Sequence, residues 1–260
     1  MGMRELEGKT LLSRLGQASF ASYGCKRYGV DVQDATTYEQ LIEGAGILSM
    51  YGRPLHLEHD GAGAPLLVDD DGVEQVPFIS LTDEDGSRGI AWVDPRESAD
   101  VIGVGVDLAT RGSFPFTESR VRWYRRIFTE REMATIHDMC PHDLDLAATL
   151  HFSGKEATFK AASQQIRKLF REAGGELEQF GCPYFEIRDI EVVPDVDGAN
   201  ELARLLAGDA AALHEASWHA NGFAHIGDAA AAFAFLGIGR FSVRFALIGN
   251  MVLSVAVALR

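Results

Sequence analysis

Apolar and polar positions along the chain alternate between helical and strand spacing. Residues 1–50 read mostly as helix, and TTYEQLIEGAGILSMYG opens at a cap candidate, Thr36 or Thr37, and leaves through glycines. Residues 51–75 are rich in Gly, Pro and Asp, which predicts loops with one short strand, APLLV. VPFISLTDEDGSRGIAWV places two apolar runs around a polar, glycine-containing turn and predicts a hairpin. VIGVGVDLAT, residues 101–110, predicts a further strand, and it carries a carboxylate, Asp107, near its end. Aspartate is depleted in strands, so Asp107 needs a reason.

Helices are predicted over about 117–138 and 145–174. FTEREM holds a capping box, with Thr129 as N-cap and Glu132 at N3, which gives Glu132 a structural use. After Gly174 and Gly175 come a strand, YFEIRDIEVV, and a helix, ANELARLLAGDAAALHEA. The last residues, RFSVRFALIGNMVLSVAVALR, form two β-rich runs around Gly249–Asn250, a hairpin signal. The first part ends helix, hairpin, strand, and the second runs long helix, strand, helix, hairpin. The expected class is α+β: two pseudo-repeated halves, 1–103 and 104–260, each a small antiparallel sheet packed on a long helix.

The chain has 260 residues and a net charge of −14, which argues against nucleic-acid or anionic-membrane partners. Six arginines between Arg111 and Arg131 run against that charge and mark either a local anion site or a solvated helix face. Three cysteines without a CxxC pair fit a reducing compartment. The amphipathic N-terminus and the short apolar runs predict a cytoplasmic protein with no membrane partner.

The chemistry concentrates in HFSGKEATFK, residues 151–160. On a helix Glu156 and Lys160 share one face at i and i+4, and Lys155 lies beside them. Taken alone, that pair is an exposed salt bridge. Gly154 costs about 1 kcal/mol in a helix and is easier to explain where a ligand or a second backbone approaches closely. A strand-end carboxylate, Asp107, beside a helical carboxylate, Glu156, with lysines nearby suits magnesium and phosphate, because Mg²⁺ takes one or two carboxylates plus phosphate oxygens and waters.

These residues resemble the 4′-phosphopantetheinyl transferases. That family carries a G-[IV]-D strand motif and a helical [FW]-[SC]-x-K-E-[AS]-x-x-K motif, and this chain has Gly105-Val106-Asp107 and Phe152 through Lys160. RRIFTEREM looks like the family's R-x-F-T-x-x-E segment, YGRP like its G-K-P loop and FISLT like its N-I-S-H-S segment. FEIRDIEVV is similar to the stretch after the long helix in the holo-acyl-carrier-protein synthase type. The resemblance implies transfer of the 4′-phosphopantetheine arm of coenzyme A to a serine of an acyl or peptidyl carrier protein, with release of 3′,5′-ADP. It implies that Asp107 and Glu156 hold Mg²⁺, that Lys160 contacts the phosphates, and that Glu156 takes the serine proton. Lys155 and Arg53 are further phosphate candidates, and Ser80 matches the serine that approaches the 3′-phosphate. An acidic carrier would also give the arginine-rich segment a use.

Two departures stand out. Ala109 occupies the position two after the strand aspartate, where many longer members are acidic, and Leu81 replaces the segment's histidine. They keep open the alternative of a non-catalytic, carrier-binding relative. Elsewhere, His137, Asp138, Cys140, His142 and Asp143 match no zinc spacing and read as a helix-exit loop. GVGVD lacks the third glycine of a dinucleotide fingerprint. No G-x-S-x-G supports a serine triad.

Overall fold

The computed structural model describes residues 3–34, 36–47, 54–60, 64–72, 78–94, 96, 98, 100–139, 141–172, 185–194, 222–226 and 229–260. Its helices are α1 (Met3–Phe20), α2 (Tyr38–Gly44), α3 (Val121–Tyr124), α4 (Glu130–Met139), α5 (Leu144–Glu172) and α6 (Ala230–Phe235). Its strands are β1 (Tyr28–Asp34), β2 (His56–His59), β3 (Pro65–Val68), β4 (Phe78–Glu84), β5 (Ser87–Val93), β6 (Val101–Thr110), β7 (Ile190–Pro194), β8 (Gly222–Ile226), β9 (Arg240–Ile248) and β10 (Met251–Leu259). They form a three-stranded sheet β1-β5-β4, a five-stranded sheet β6-β10-β9-β8-β7 and the β2-β3 ribbon. The strand pairs within the sheets are antiparallel, so the α+β class holds.

Both expected hairpins form. Asp85 and Gly86 turn β4 into β5 with φ of 48° and 84°, left-handed values that suit a primed turn. Gly249, at φ 61°, turns β9 into β10, with Ile248 opposite Met251. The expected boundary at 103/104 falls inside β6, which pairs with β10 from Val101 onward.

MVLSVAVAL and VIGVGVDLA are nearly continuous apolar runs because β10 and β6 are covered on both faces. Leu253, Val255 and Val257 join Val104, Val106 and Leu108 in a cluster with Leu11, Leu12 and Leu15 of α1. Val252, Ala256 and Ala258 face the other way and join Ala157 and Ala161 of α5. Strands buried on both sides lose the alternation that marks a half-exposed strand.

The structure departs from the pattern reading in several places, with β2 and β8 as strands the pattern did not predict. Residues 28–34 form β1 rather than helix, with Tyr28, Val30 and Val32 packed on the α1 cluster. Gly29 is needed there, because a Cβ at this position would sit 2.4 Å from the Trp92 indole nitrogen. The helix expected over 117–138 is broken into α3 and α4. Thr129 N–H donates to Glu132 Oε2 at 2.8 Å and Glu132 N–H to Thr129 Oγ1 at 3.2 Å, so the capping box marks a helix start, not a helix interior. The helix expected over 199–216 lies outside the described residues.

The contact that sets up the site is that of α5 on β6. A Cβ on Gly105 would lie 1.8 Å from the Ala157 carbonyl oxygen, and one on Gly103 would lie 2.4 Å from that of Ala161. Glycines on the strand and alanines on the helix let the two backbones meet. Gly105→Ala would force them apart, and overpacking of this kind costs up to about 3 kcal/mol. A lowered denaturant midpoint is the expected result. An unchanged midpoint would show that α5 does not depend on this contact.

Candidate active site

Asp107 lies on the α5 face of β6, two residues beyond Gly105, where the strand backbone meets α5. Ser153, on the helix ridge shared with Ala157 and Ala161, donates to the Asp107 carbonyl oxygen at 3.4 Å, and Ser254 Oγ donates to Ser153 Oγ at 2.8 Å. Ser254 is also the register partner of Asp107 on β10. These hydroxyls form a small polar island on an otherwise apolar face.

One helical turn separates Glu156 from Lys160, and both reach the same place. Lys160 Nζ donates to Asp107 Oδ1 at 3.0 Å and to the Val106 carbonyl oxygen at 2.9 Å. Asp107 is 8% exposed, and burial pushes its carboxyl above the ordinary carboxylate value while Lys160 opposes the shift. Burial also raises the carboxyl of half-buried Glu156. The charge of Asp107 adds to that rise and Lys160 works against it. The site therefore holds two desolvated carboxylates that repel one another, with one lysine between them. Among the described residues no group of three or more His, Cys, Asp or Glu side chains gathers at metal-holding spacing, so Asp107 and Glu156 stand as a pair.

The other expected ligands are placed differently. Lys155 is 0% exposed, and its Nζ donates to Glu132 Oε2 at 2.6 Å and sits 5.8 Å from the centre of the Phe128 ring. In place of a phosphate contact it has a buried ion pair. Its neighbour on the chain, Glu156, points to the other cluster because adjacent residues do not share a helix face. Ser80 is 3% exposed and its Oγ accepts the Val106 N–H at 3.0 Å, so it too is turned into the protein. Arg53, with the rest of Tyr51–Arg53, lies outside the described residues. Leu81, at the family's histidine position, packs against the cluster of Leu41, Ile42 and Trp92. Gly154 accommodates the Phe245 ring, which would stand 2.9 Å from a Cβ, so side-chain packing explains it rather than a ligand.

Sequence reasoning missed the wider work of Glu132. Besides capping α4 and pairing with Lys155, its Oε1 accepts the Val192 N–H at 2.8 Å. A lysine about three turns into a long helix and a capping glutamate gave no sign of meeting. Asp143, in the loop considered for zinc, instead caps α5 by accepting the Leu146 N–H at 3.1 Å, and it pairs with Arg111. His151 donates from Nδ1 to the Ala147 carbonyl oxygen at 2.9 Å, and burial holds its pKa below the ordinary value.

The basic segment lies on the surface. Arg120, Arg122, Arg125 and Arg126 are exposed, and Trp123 among them is 44% exposed. Arg111 and Arg131 are taken up by Asp143 and Glu191. Arg122, Arg125 and Arg126 have no acidic partner among the described residues. No described helix is long and apolar enough to cross a membrane.

The chain is similar to two solved enzymes. One is the holo-[acyl-carrier-protein] synthase from Neisseria meningitidis, at 16% identity and TM-score 0.38, covering 62% of this chain and 99% of that one. The other is the acyl carrier protein synthase from Mycobacterium tuberculosis, at 19% identity and TM-score 0.34, covering 62% and 97%. No curated protein matches the chain. The model of one family matches residues 103–234, a span that holds both the β6 aspartate and the α5 motif. On that match the chain belongs to the 4′-phosphopantetheinyl transferase superfamily.

Proposed function

We propose that this protein transfers the 4′-phosphopantetheine group of coenzyme A to a serine hydroxyl of an acyl or peptidyl carrier protein and releases 3′,5′-ADP. The observation that carries this reading is the convergence of Asp107, Glu156 and Lys160 from a strand and a helix held backbone to backbone. Asp107 and Glu156 offer the hard oxygen donors that Mg²⁺ prefers, and two carboxylates leave its remaining positions to phosphate oxygens and water. Their mutual repulsion, offset by one lysine, is the electrostatic situation that a divalent cation relieves. When bound, Mg²⁺ would neutralise charge on the coenzyme A pyrophosphate.

The chain's own residues do the rest. The serine oxygen forms a bond to the phosphorus that bears the pantetheine arm, and the bond from that phosphorus to the bridging oxygen breaks, leaving 3′,5′-ADP. The Glu156 carboxylate takes the serine proton, and its raised pKa makes it a better base than an exposed glutamate. The Lys160 ammonium would offset charge on the leaving phosphate. Such reactions depend chiefly on positioning and charge neutralisation.

The exposed arginines around Trp123 support an acidic protein partner. On a chain of net charge −14 they give a local surface that an acidic carrier can approach. Mass spectrometry of an apo acyl carrier protein incubated with this protein, coenzyme A and Mg²⁺ tests the reading, with an EDTA control. A metal-dependent gain of one phosphopantetheine group is expected. A folded sample that binds carriers but modifies none would replace this reading with that of a non-catalytic, carrier-binding relative, for which Ala109 and Leu81 would then be the first residues to revert.

A further inference from the structure

Strand β6 is the edge of the five-stranded sheet, and its outward N–H groups are met by side chains rather than by another backbone. Val104 N–H donates to Gln164 Oε1 at 2.9 Å, and Val106 N–H donates to Ser80 Oγ at 3.0 Å. Leu108 N–H donates to Thr82 Oγ1, and Thr110 N–H to Glu84 Oε1, both at 3.0 Å. β4 thus runs alongside β6 in the same direction and lends it every second side chain. An edge strand's unpaired groups must be satisfied somewhere, and here a strand of the first half satisfies three of these four.

The two hydroxyls in that series bracket Asp107. One binds the residue before it and the other the residue after it. Ser80 and Thr82 are 3% and 6% exposed, so water does not compete for either bond. The Thr82 methyl is seated against Gly89, where a Cβ would come within 2.9 Å of it, and this fixes its rotamer. Along the same edge Lys160 holds the Val106 carbonyl oxygen, and on the other edge Asp107 pairs in register with Ser254 of β10. The backbone at Asp107 is pinned on both sides, and with it the direction of the Cα–Cβ bond.

We propose that Thr82, aided by Ser80, is a positioning residue: its hydroxyl fixes the β6 backbone so that the Asp107 carboxylate meets Glu156 and Lys160. This rests on the reading of Asp107 and Glu156 as the metal-holding pair. The first half of the chain then contributes to the site through the geometry of a strand in the second. Sites of this kind need their groups held to within about 0.5 Å, which a loosely held edge strand does not provide.

The test measures Mn²⁺ binding to the protein alone by electron paramagnetic resonance, Mn²⁺ standing in for a hard divalent cation. Wild type, Thr82→Val, Thr82→Ser and Glu156→Gln are compared, with thermal unfolding of each. Thr82→Val keeps the shape and removes the acceptor, and it is expected to weaken Mn²⁺ binding about tenfold, as loss of a supporting partner of a metal ligand does. Thr82→Ser restores the hydroxyl and is expected to restore the affinity. If Thr82→Val fails to fold, Ser80→Ala, which frees the Val106 N–H, is read in the same way. Wild-type affinity in these variants, with only the unfolding midpoint lowered, would overturn the inference and leave the transferase reading standing. Wild type that binds Mn²⁺ no better than Glu156→Gln would remove the metal-holding pair itself, and the inference with it.

Discussion

Glu156→Gln is expected to reduce phosphopantetheine transfer by at least about a hundredfold, the scale on which losing one acid–base group acts, while leaving the protein folded. The substitution removes a metal donor and the proton acceptor together, yet it changes no packing. The effect on stability should run the other way. Burial and Asp107 both work against charge on Glu156. Gln has no charge to desolvate, and a higher midpoint of denaturation is the expected result. A variant with undiminished transfer would remove Glu156 from the mechanism.

The same shifts give a sign to the pH dependence. The folded-state pKa values of Asp107 and Glu156 lie above their ordinary values. The folded protein therefore holds these protons at pH values where the unfolded chain has released them. Their contribution to stability is fully present below the unfolded pKa and is lost as pH rises through the folded one. Activity follows the opposite course, since transfer uses the ionised forms. Its acid limb should lie above the ordinary carboxylate range and move down as Mg²⁺ is raised, because the cation favours the ionised pair.

How much of this was legible in the sequence differs from element to element. The two hairpins were legible because Asp-Gly and Gly-Asn turns between apolar runs are local signals. Strand β6 was legible as a strand, and Asp107 with Glu156 and Lys160 as a group, because the motif around each is specific. The burial of β6 and β10 on both faces was not legible, since a continuous apolar run does not say what covers it. β1 was missed because Gly29 and Asp31 interrupt a short alternation whose meaning comes from Trp92 and β5, residues far along the chain. Lys155 and Ser80 were misdirected for a related reason. The motif gives neighbours on the chain, but Glu132 and the β6 backbone decide where those two side chains go.

The largest expected loss of stability follows from that first partner. Glu132 and Lys155 are both 0% exposed in their side chains, 2.6 Å apart. Burial pushes the Lys155 pKa down, and Glu132 is the chief group opposing it, with Glu191 and Asp189 acting the same way. Glu132→Ala would leave an ammonium in the core without its paired carboxylate, and would also leave the N–H groups of Val192 and Thr129 without their acceptor. Removing one member of a buried pair costs about 3–5 kcal/mol, chiefly through the charge left behind. Unfolding of the single variant in urea should show a loss of that size. Glu132→Leu combined with Lys155→Met removes both charges and should recover much of it, since an apolar replacement of a whole pair is often neutral. A double variant as unstable as Glu132→Ala would mean that the carboxylate matters through the α4 cap and the β7 N–H rather than through Lys155. Because α4, α5 and β7 all meet at Glu132, that result would make it the joint that holds the motif helix against its own sheet.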